Sequence, residues 1–136
     1  MKFTTTAAAA GIAFMMAGGV SAATLTNAGT TCSVSDFTIG SVDASQCEGA
    51  FSGNDSNTDL NGIFGISGWM EIVKVDAPDT SDSGNGVALT VNGNGGTSGT
   101  WSVDSWGGFT TVMGVLKGGP TFSAYLLDTN EGLGGD

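Results

Sequence analysis

The residues best suited to chemistry in this sequence form a short run of oxygen-bearing side chains. Asp55, Asn57 and Asp59 occupy alternate positions, as the first ligands of a calcium-binding loop do. The sixth position of such a loop would be Leu60 instead of glycine, and the twelfth would be Ile66 instead of a bidentate glutamate. The EF-hand pattern therefore fails. Two interpretations remain: calcium bound in another loop geometry, or Asp and Asn side chains that cap turns.

Two aromatic residues are the candidates for contact with a carbohydrate. Trp106 stands between Ser105 and two glycines in a predicted turn, and Tyr125 lies in a predicted strand. Flat rings with one polar atom suit stacking on sugars, but they also fill the cores of small domains. Trp69 and Trp101 occupy inward strand positions and are expected in the core. We therefore predict glycan binding by Trp106 and Tyr125 only as the alternative function.

Cys32 and Cys47 are the two cysteines of the chain. In an exported protein, an even number of cysteines most simply forms disulfides, so we predict one bond between them. Two thiols without histidine do not complete a zinc site. The sequence predicts no cofactor apart from the calcium alternative.

The charged residues exclude several classes of function. The chain has three lysines or arginines, no histidine and thirteen carboxylates, for a formal charge of −10. Nucleic-acid binding is not expected, because phosphate contacts need clustered cations. Histidine-based catalysis is excluded as well. We predict a protein that is not an enzyme.

Short alternating apolar runs, separated by Asn-Gly steps and other glycines, indicate an all-β fold. Within the run after Gly68, strict alternation would place Trp69, Glu71, Val73 and Val75 on one face. A polar loop is predicted over 77–85. The expected architecture is a two-layer antiparallel β-sandwich of jelly-roll-like topology. Its predicted strands cover residues 33–39, 63–66, 68–75, 86–92, 99–103, 109–117 and 121–127.

The first 23 residues have the pattern of a secretory signal peptide, and we expect them to form a signal helix. Lys2 precedes an apolar stretch, and small residues end at Ala23. The stretch is too short and too rich in glycine for a membrane anchor. We therefore predict a signal peptide over 1–23, a single domain over 24–136, a secreted location and no membrane insertion of the mature chain.

Several segments resemble secreted proteobacterial proteins with a C-terminal PEP-CTERM or VPLPA-CTERM sorting signal. They are the leader followed by Ala-Thr-Leu, the segment from Cys47 to Asn57, Leu60-Asn-Gly-Ile-Phe-Gly before Trp69, and the segment from Val115 to Leu127. The resemblance implies an envelope or extracellular-matrix protein with another strand and a sorting segment downstream. It implies that the domain lacks its last strand.

Taken together, these observations predict an exported, non-enzymatic structural or interaction protein of the cell envelope or extracellular matrix. The alternative is a module that binds exopolysaccharide, assisted by calcium. Its expected partners are exopolysaccharide or other envelope components.

Overall fold

Strands dominate the computed structural model, which describes residues 9–17 and 24–136. Within these ranges the other regular elements are 3₁₀ turns, over Val34–Asp36, Asp55–Asn57 and Ile63–Gly65. No helix in them has the length and apolar character needed to cross a bilayer. The strands are β1 (Ala9–Ala17), β2 (Thr38–Ile39), β3 (Val42–Asp43), β4 (Gln46–Ser52), β5 (Trp69–Asp76), β6 (Ser81–Gly84), β7 (Val87–Asn92), β8 (Thr100–Val103), β9 (Val112–Gly118), β10 (Thr121–Leu127) and β11 (Gly134–Gly135).

Two antiparallel sheets contain most of these strands. The first has the order β4-β10-β9-β1-β5 and the second has the order β11-β8-β7-β6, while β2 and β3 form a separate hairpin. The predicted hairpins β7–β8 and β9–β10 are both confirmed. The all-β prediction is therefore confirmed, and the arrangement is β-sandwich-like.

The main core lies between the two sheets. On β7 the side chains alternate between buried and exposed, with Val87, Leu89 and Val91 almost fully buried. They belong to one apolar cluster with Val73 and Val75 of the first sheet. A strand with one face inward and one face in water explains the alternation that identifies β7 in the sequence.

A second apolar cluster covers the opposite face of the first sheet. Met113, Val115 and Phe122 pack there against Leu60 and Ile63 of the segment that joins β4 to β5. Strand β9 is consequently covered on both faces, and all of its residues are buried. The first sheet is thus the middle layer, and the segment over 53–67 is its outer cover.

The side chains of β5 do not all lie on the faces that strict alternation predicts. The pairing with β1 shifts between Phe14, opposite Val73, and Met15, opposite Glu71, so that Ile72 is an extra residue in β5. Such a bulge changes the phase of the side chains. Trp69 therefore belongs to the outer cluster, whereas Val73 belongs to the inner core.

Three segments differ from the predicted strands and loops. Within 33–39 only Thr38–Ile39 is a strand, and 63–66 is mainly a 3₁₀ turn that contains Phe64 at φ 58°. The predicted loop over 77–85 contains β6, which pairs with β7. Its polar residues are compatible with an edge strand, which presents much of its surface to water. In addition, strand β4 was not predicted, because its residues show no clear apolar alternation.

The described part of the N-terminal segment is a strand and not the expected signal helix. Ala9–Ala17 forms strand β1, which pairs antiparallel with β5 on one side and β9 on the other. Backbone pairing on both sides outweighs the local preferences of an alanine- and methionine-containing run that also suits a helix. The rest of the predicted signal peptide, 1–8 and 18–23, lies outside the described residues.

Candidate functional site

Asp55, the first residue of the calcium hypothesis, is buried inside the protein. It opens the 3₁₀ turn that follows Asn54, whose side chain accepts a hydrogen bond from the Ser56 amide at 3.2 Å. The Asp55 side chain is 0% exposed, and its Oδ1 atom lies 3.0 Å from Nζ of Lys117. The local turn therefore directs this carboxylate toward the sheet and toward a lysine.

Asp59, the second candidate carboxylate, is engaged in a turn of its own. Oδ1 of Asp59 accepts a hydrogen bond from the Asn61 amide at 2.9 Å, as in an Asx turn. The side chain of Asn57 lies outside what the structure describes. Among described residues, no three acidic or thiol side chains converge as a metal site. Calcium binding stays a prediction.

The two aromatic candidates for glycan binding are both buried, as the interpretation of such rings as core residues predicts. Trp106 is 8% exposed, and its indole N–H donates to the Gly132 carbonyl at 2.9 Å. Tyr125 is 1% exposed, and its hydroxyl donates to Oδ2 of Asp36 at 3.3 Å. Burial and the nearby Asp36 raise the pKa of the Tyr125 phenol. Both rings pack inside the domain. The expected burial of Trp69 and Trp101 is confirmed as well.

The predicted disulfide is confirmed. Cys32 and Cys47 are bonded, and no free cysteine occurs among the described residues. Both side chains pack against the margin of the main core. The bond attaches the segment before β2 to strand β4, which lies at an edge of the first sheet.

A charged cluster that the sequence analysis missed lies where the outer cover meets the first sheet. It contains Lys74 and Lys117, the two lysines of the described residues. Besides the contact with Asp55, Lys117 Nζ lies 3.8 Å from Oδ1 of Asp76, and Lys74 Nζ lies 3.3 Å from Oδ2 of Asp76. Lys74 also donates to the hydroxyl of Ser56 at 3.3 Å. We call these four charged residues the Lys–Asp cluster.

The Lys–Asp cluster includes strongly desolvated groups. Burial and the adjacent Lys74 lower the pKa of the Lys117 amine, although Asp55 acts in the opposite direction. Burial also opposes the charge on Lys74, but the contact with Lys117 and the attraction of Asp55 and Asp76 raise its pKa overall. Oδ2 of Asp55 is buried and accepts no hydrogen bond from the described residues. A buried carboxylate without such donors depends strongly on its ion pair.

A cleft of about 740 Å³ opens beside Lys74, Asp76 and Lys117. The end of β4 and the β9–β10 turn supply the rest of its lining: Ser52, Gly53, Asn54, Gly119, Pro120 and Thr121. Amines, hydroxyls, an amide and a carboxylate can bind a polar ligand through hydrogen bonds. We take this cleft as the candidate binding site.

Comparisons with known proteins add no relative. No protein-family model matches the chain, and no curated protein or solved structure is detectably similar to it. The candidate site therefore depends on its own geometry.

One feature of the sequence could have revealed the Lys–Asp cluster. Lys117 follows an apolar run and comes just before a tight Gly-Gly-Pro turn, in a chain that has very few cations. A lysine in a strand that is buried on both faces requires a carboxylate partner. The sequence indicates that a partner is needed, but it does not identify Asp55 among thirteen acidic residues.

Proposed function

We propose that this protein is an exported, non-enzymatic structural or interaction protein of the cell envelope or extracellular matrix. The observation that carries the proposal is the Cys32–Cys47 disulfide. Structural disulfides persist outside the cytosol, where thiols are not kept reduced. A single bond between the two cysteines supports folding in an oxidising compartment.

The charge distribution supports a binding or structural role over catalysis. Lys117, the more deeply buried of the two described lysines, is engaged by Asp55, and Lys74 is engaged by Asp76. The Lys117–Asp55 contact attaches the outer cover to the first sheet. Because the chain also lacks histidine, proton transfer near neutral pH would need a strongly perturbed carboxylate or amine.

The finer assignments belong to the same proposal. We infer that residues 1–23 act as a signal peptide and that 24–136 form one domain of jelly-roll-like topology. The resemblance to PEP-CTERM and VPLPA-CTERM proteins supports an envelope or matrix location. It rests on the segments between Cys47 and Leu127 described above.

Export can be tested with the full chain in a Gram-negative host. We expect the protein outside the cytoplasm, with an N-terminus at Thr24 by mass spectrometry and no reactive thiol. The matched control carries Ser21→Arg and Ala23→Arg, which remove the small residues expected at the cleavage site. That variant should keep its leader. Cytoplasmic protein with both cysteines reduced would refute the proposal.

The second candidate function is glycan binding, and the cleft beside the Lys–Asp cluster is the observation that favours it. Its amines, hydroxyls, amide and carboxylate can contact hydroxyl and carboxylate groups of an exopolysaccharide, whereas the rings of Trp106 and Tyr125 are buried. Titration with purified exopolysaccharide, with and without a chelator, tests binding and its dependence on calcium.

Matched variants distinguish the cleft from other surfaces. Lys74→Ala removes a donor from the cleft, whereas Asp79→Ala changes an exposed acidic residue outside its lining. We expect Lys74→Ala to weaken binding and Asp79→Ala to leave it unchanged. No binding to a broad glycan panel, or equal binding by both variants, would contradict a glycan site in the cleft.

A further inference from the structure

We propose that the buried Lys117–Asp55 pair condenses to an intramolecular isopeptide bond, an amide that joins strand β9 to the outer cover. The reaction is a single self-modification of the folded chain, and the two side chains supply all of its atoms. It goes beyond the proposed function, because it needs neither export nor a ligand. Its product makes covalent the contact that attaches the segment over 53–67 to the first sheet.

The fold holds the two reacting groups against each other. Nζ of Lys117 lies 3.0 Å from Oδ1 of Asp55. The carboxyl carbon is one bond beyond that oxygen, so the amine is within about a bond length of the roughly 3–3.5 Å from which bond formation begins. A rotation of the carboxyl group or of the lysine side chain is enough to close the remaining gap.

Both ends of the pair have little freedom to move apart. Lys117 lies in a central strand, where it pairs with Gly11 of β1 on one side and Phe122 of β10 on the other. Asp55 opens a 3₁₀ turn that ends at the buried Thr58, whose amide donates to the Asp55 carbonyl at 3.3 Å. Folding therefore supplies in advance the ordering that a reaction between two separate molecules would require.

Burial of the pair favours the amide over the two separate charges. Both side chains are almost completely withdrawn from water. Exclusion of water favours condensation, which releases a water molecule, over hydrolysis, which consumes one. Condensation also replaces two buried charges by a neutral amide and removes one of the two carboxyl oxygens of Asp55, whose Oδ2 accepts no hydrogen bond from the described residues.

The chemical step needs an uncharged amine as the nucleophile. Burial and the adjacent charge of Lys74 lower the pKa of the Lys117 amine, and transfer of its proton from Nζ to Oδ1 removes the Asp55 charge that opposes them. The nitrogen lone pair then attacks the carboxyl carbon. A second proton moves from nitrogen to the same oxygen, the bond between carbon and that oxygen breaks, and water leaves. One carboxylate oxygen and two ammonium protons make up this water.

A cavity beside Asp55 gives the released water a path away from the pair. Its volume of about 280 Å³ is far larger than the ~30 Å³ that a water molecule occupies. The Ser56 hydroxyl and the Glu71 carboxylate provide polar groups that can bind the departing water. The complete lining is Met15, Asp55, Ser56, Leu60, Trp69 and Glu71.

Digestion of the full chain at its glutamates tests the bond directly. Cleavage after Glu48, Glu71 and Glu131 separates fragment 49–71, which contains Asp55, from fragment 72–131, which contains Lys117. The protein is purified in its folded form, then denatured, reduced and digested. We expect mass spectrometry to show the two fragments joined, with a mass lower than their sum by one water. Tandem fragmentation should locate the bond between Lys117 and Asp55.

Three variants provide the controls. Lys117→Arg keeps the positive charge, but the guanidinium stays protonated and is no nucleophile. Asp55→Ala removes the carboxyl carbon that is attacked. Both variants should give separate fragments of full mass. Asp79→Ala, which changes an exposed acidic residue outside the Lys–Asp cluster, is the matched control for Asp55→Ala and should leave the fragments joined. If a variant fails to fold, digestion of the parent still decides the question.

Two outcomes would overturn the inference. Complete separation of fragments 49–71 and 72–131, from parent protein kept folded for days, would show that Lys117 and Asp55 form an ion pair only. Loss of water confined to fragment 72–131 would assign the condensation to Lys74 and Asp76, which are more exposed. Neither measurement depends on export or on glycan binding, so this inference and the proposed function can fail separately.

Discussion

At the scale of single residues, the Lys117–Asp55 pair is the most consequential contact outside the apolar clusters. Its atoms lie 3.0 Å apart, and the two side chains are 8% and 0% exposed. Transfer of both charges out of water is costly, and the pair recovers that cost only while both partners are present. The pair therefore makes the position of the outer cover dependent on one lysine of β9.

A double-mutant cycle tests this dependence. We expect Asp55→Leu and Lys117→Met each to lower the free energy of unfolding by about 3 kcal/mol, because each leaves one buried charge without its partner. The double variant should lose much less than the sum, since it buries no charge. Urea denaturation gives the three values. Additive losses would show that the two side chains do not interact.

Glu71 provides a prediction about pH. Glu71 is exposed on β5, but partial desolvation of its carboxyl raises the pKa above the ordinary value of a glutamate. The folded protein therefore holds this proton more tightly than the unfolded chain, and stability falls as pH rises through the raised pKa. We expect Glu71→Gln to have a higher thermal midpoint than the parent at pH 7.

The same comparison at lower pH is the control for Glu71. Below the unfolded-state pKa, about 4.3 for a glutamate, the carboxyl is protonated in both states. The difference between the variant and the parent should then disappear. A constant difference at all pH values would indicate a packing effect of the substitution and not the titration of Glu71.

At the scale of elements, the position of a strand determines which pattern its residues show. Strand β7 has water on one side and alternates, whereas β9 is buried on both faces and does not. Gly114 of β9 shows how close the packing is, because a Cβ atom there would lie 2.8 Å from Cζ of Phe37. Phe37 itself stacks on Tyr125 of β10, with ring centroids 5.4 Å apart.

The disulfide acts on the element scale as well, because it attaches an irregular segment to β4. The two cysteines are 15 residues apart in sequence. Closing a loop of that length contributes about 3 kcal/mol in the chain-entropy model. We expect the double variant Cys32→Ala, Cys47→Ala to lose roughly that amount in urea denaturation. Reduction of the parent should produce a similar loss, and an unchanged midpoint after reduction would contradict the assignment.

At the scale of the whole molecule, the three tryptophans report on the core as a unit. Trp69, Trp101 and Trp106 are 4%, 3% and 8% exposed. We expect weak quenching of native tryptophan fluorescence by acrylamide and strong quenching after unfolding. Trp106→Phe should keep the weak native quenching. If that substitution abolished a strongly quenched fraction, Trp106 would be exposed as the glycan hypothesis requires.

The sequence by itself determined the fold class, the disulfide and two hairpins. Each of these depends on local information: short alternating runs, tight Gly-containing turns and a single pair of cysteines. The burial of Trp69 and Trp101 followed from their inward positions on predicted strands. The tight Gly-Gly-Pro turn between β9 and β10 allowed only antiparallel neighbours, so their pairing needed no knowledge of the rest of the sheet.

Only the tertiary structure decided which distant residues meet. The bulge in β5 moved Trp69 and Val73 to different faces, and no local pattern marks it. The polar strand β6 exists because β7 offers it an edge, and β1 is a strand because β5 and β9 flank it. Burial of Trp106 and the pairing of Lys117 with Asp55 depend on elements far apart in sequence. Packing between such elements outweighs local preference, since burial and hydrogen bonding are satisfied by the whole fold.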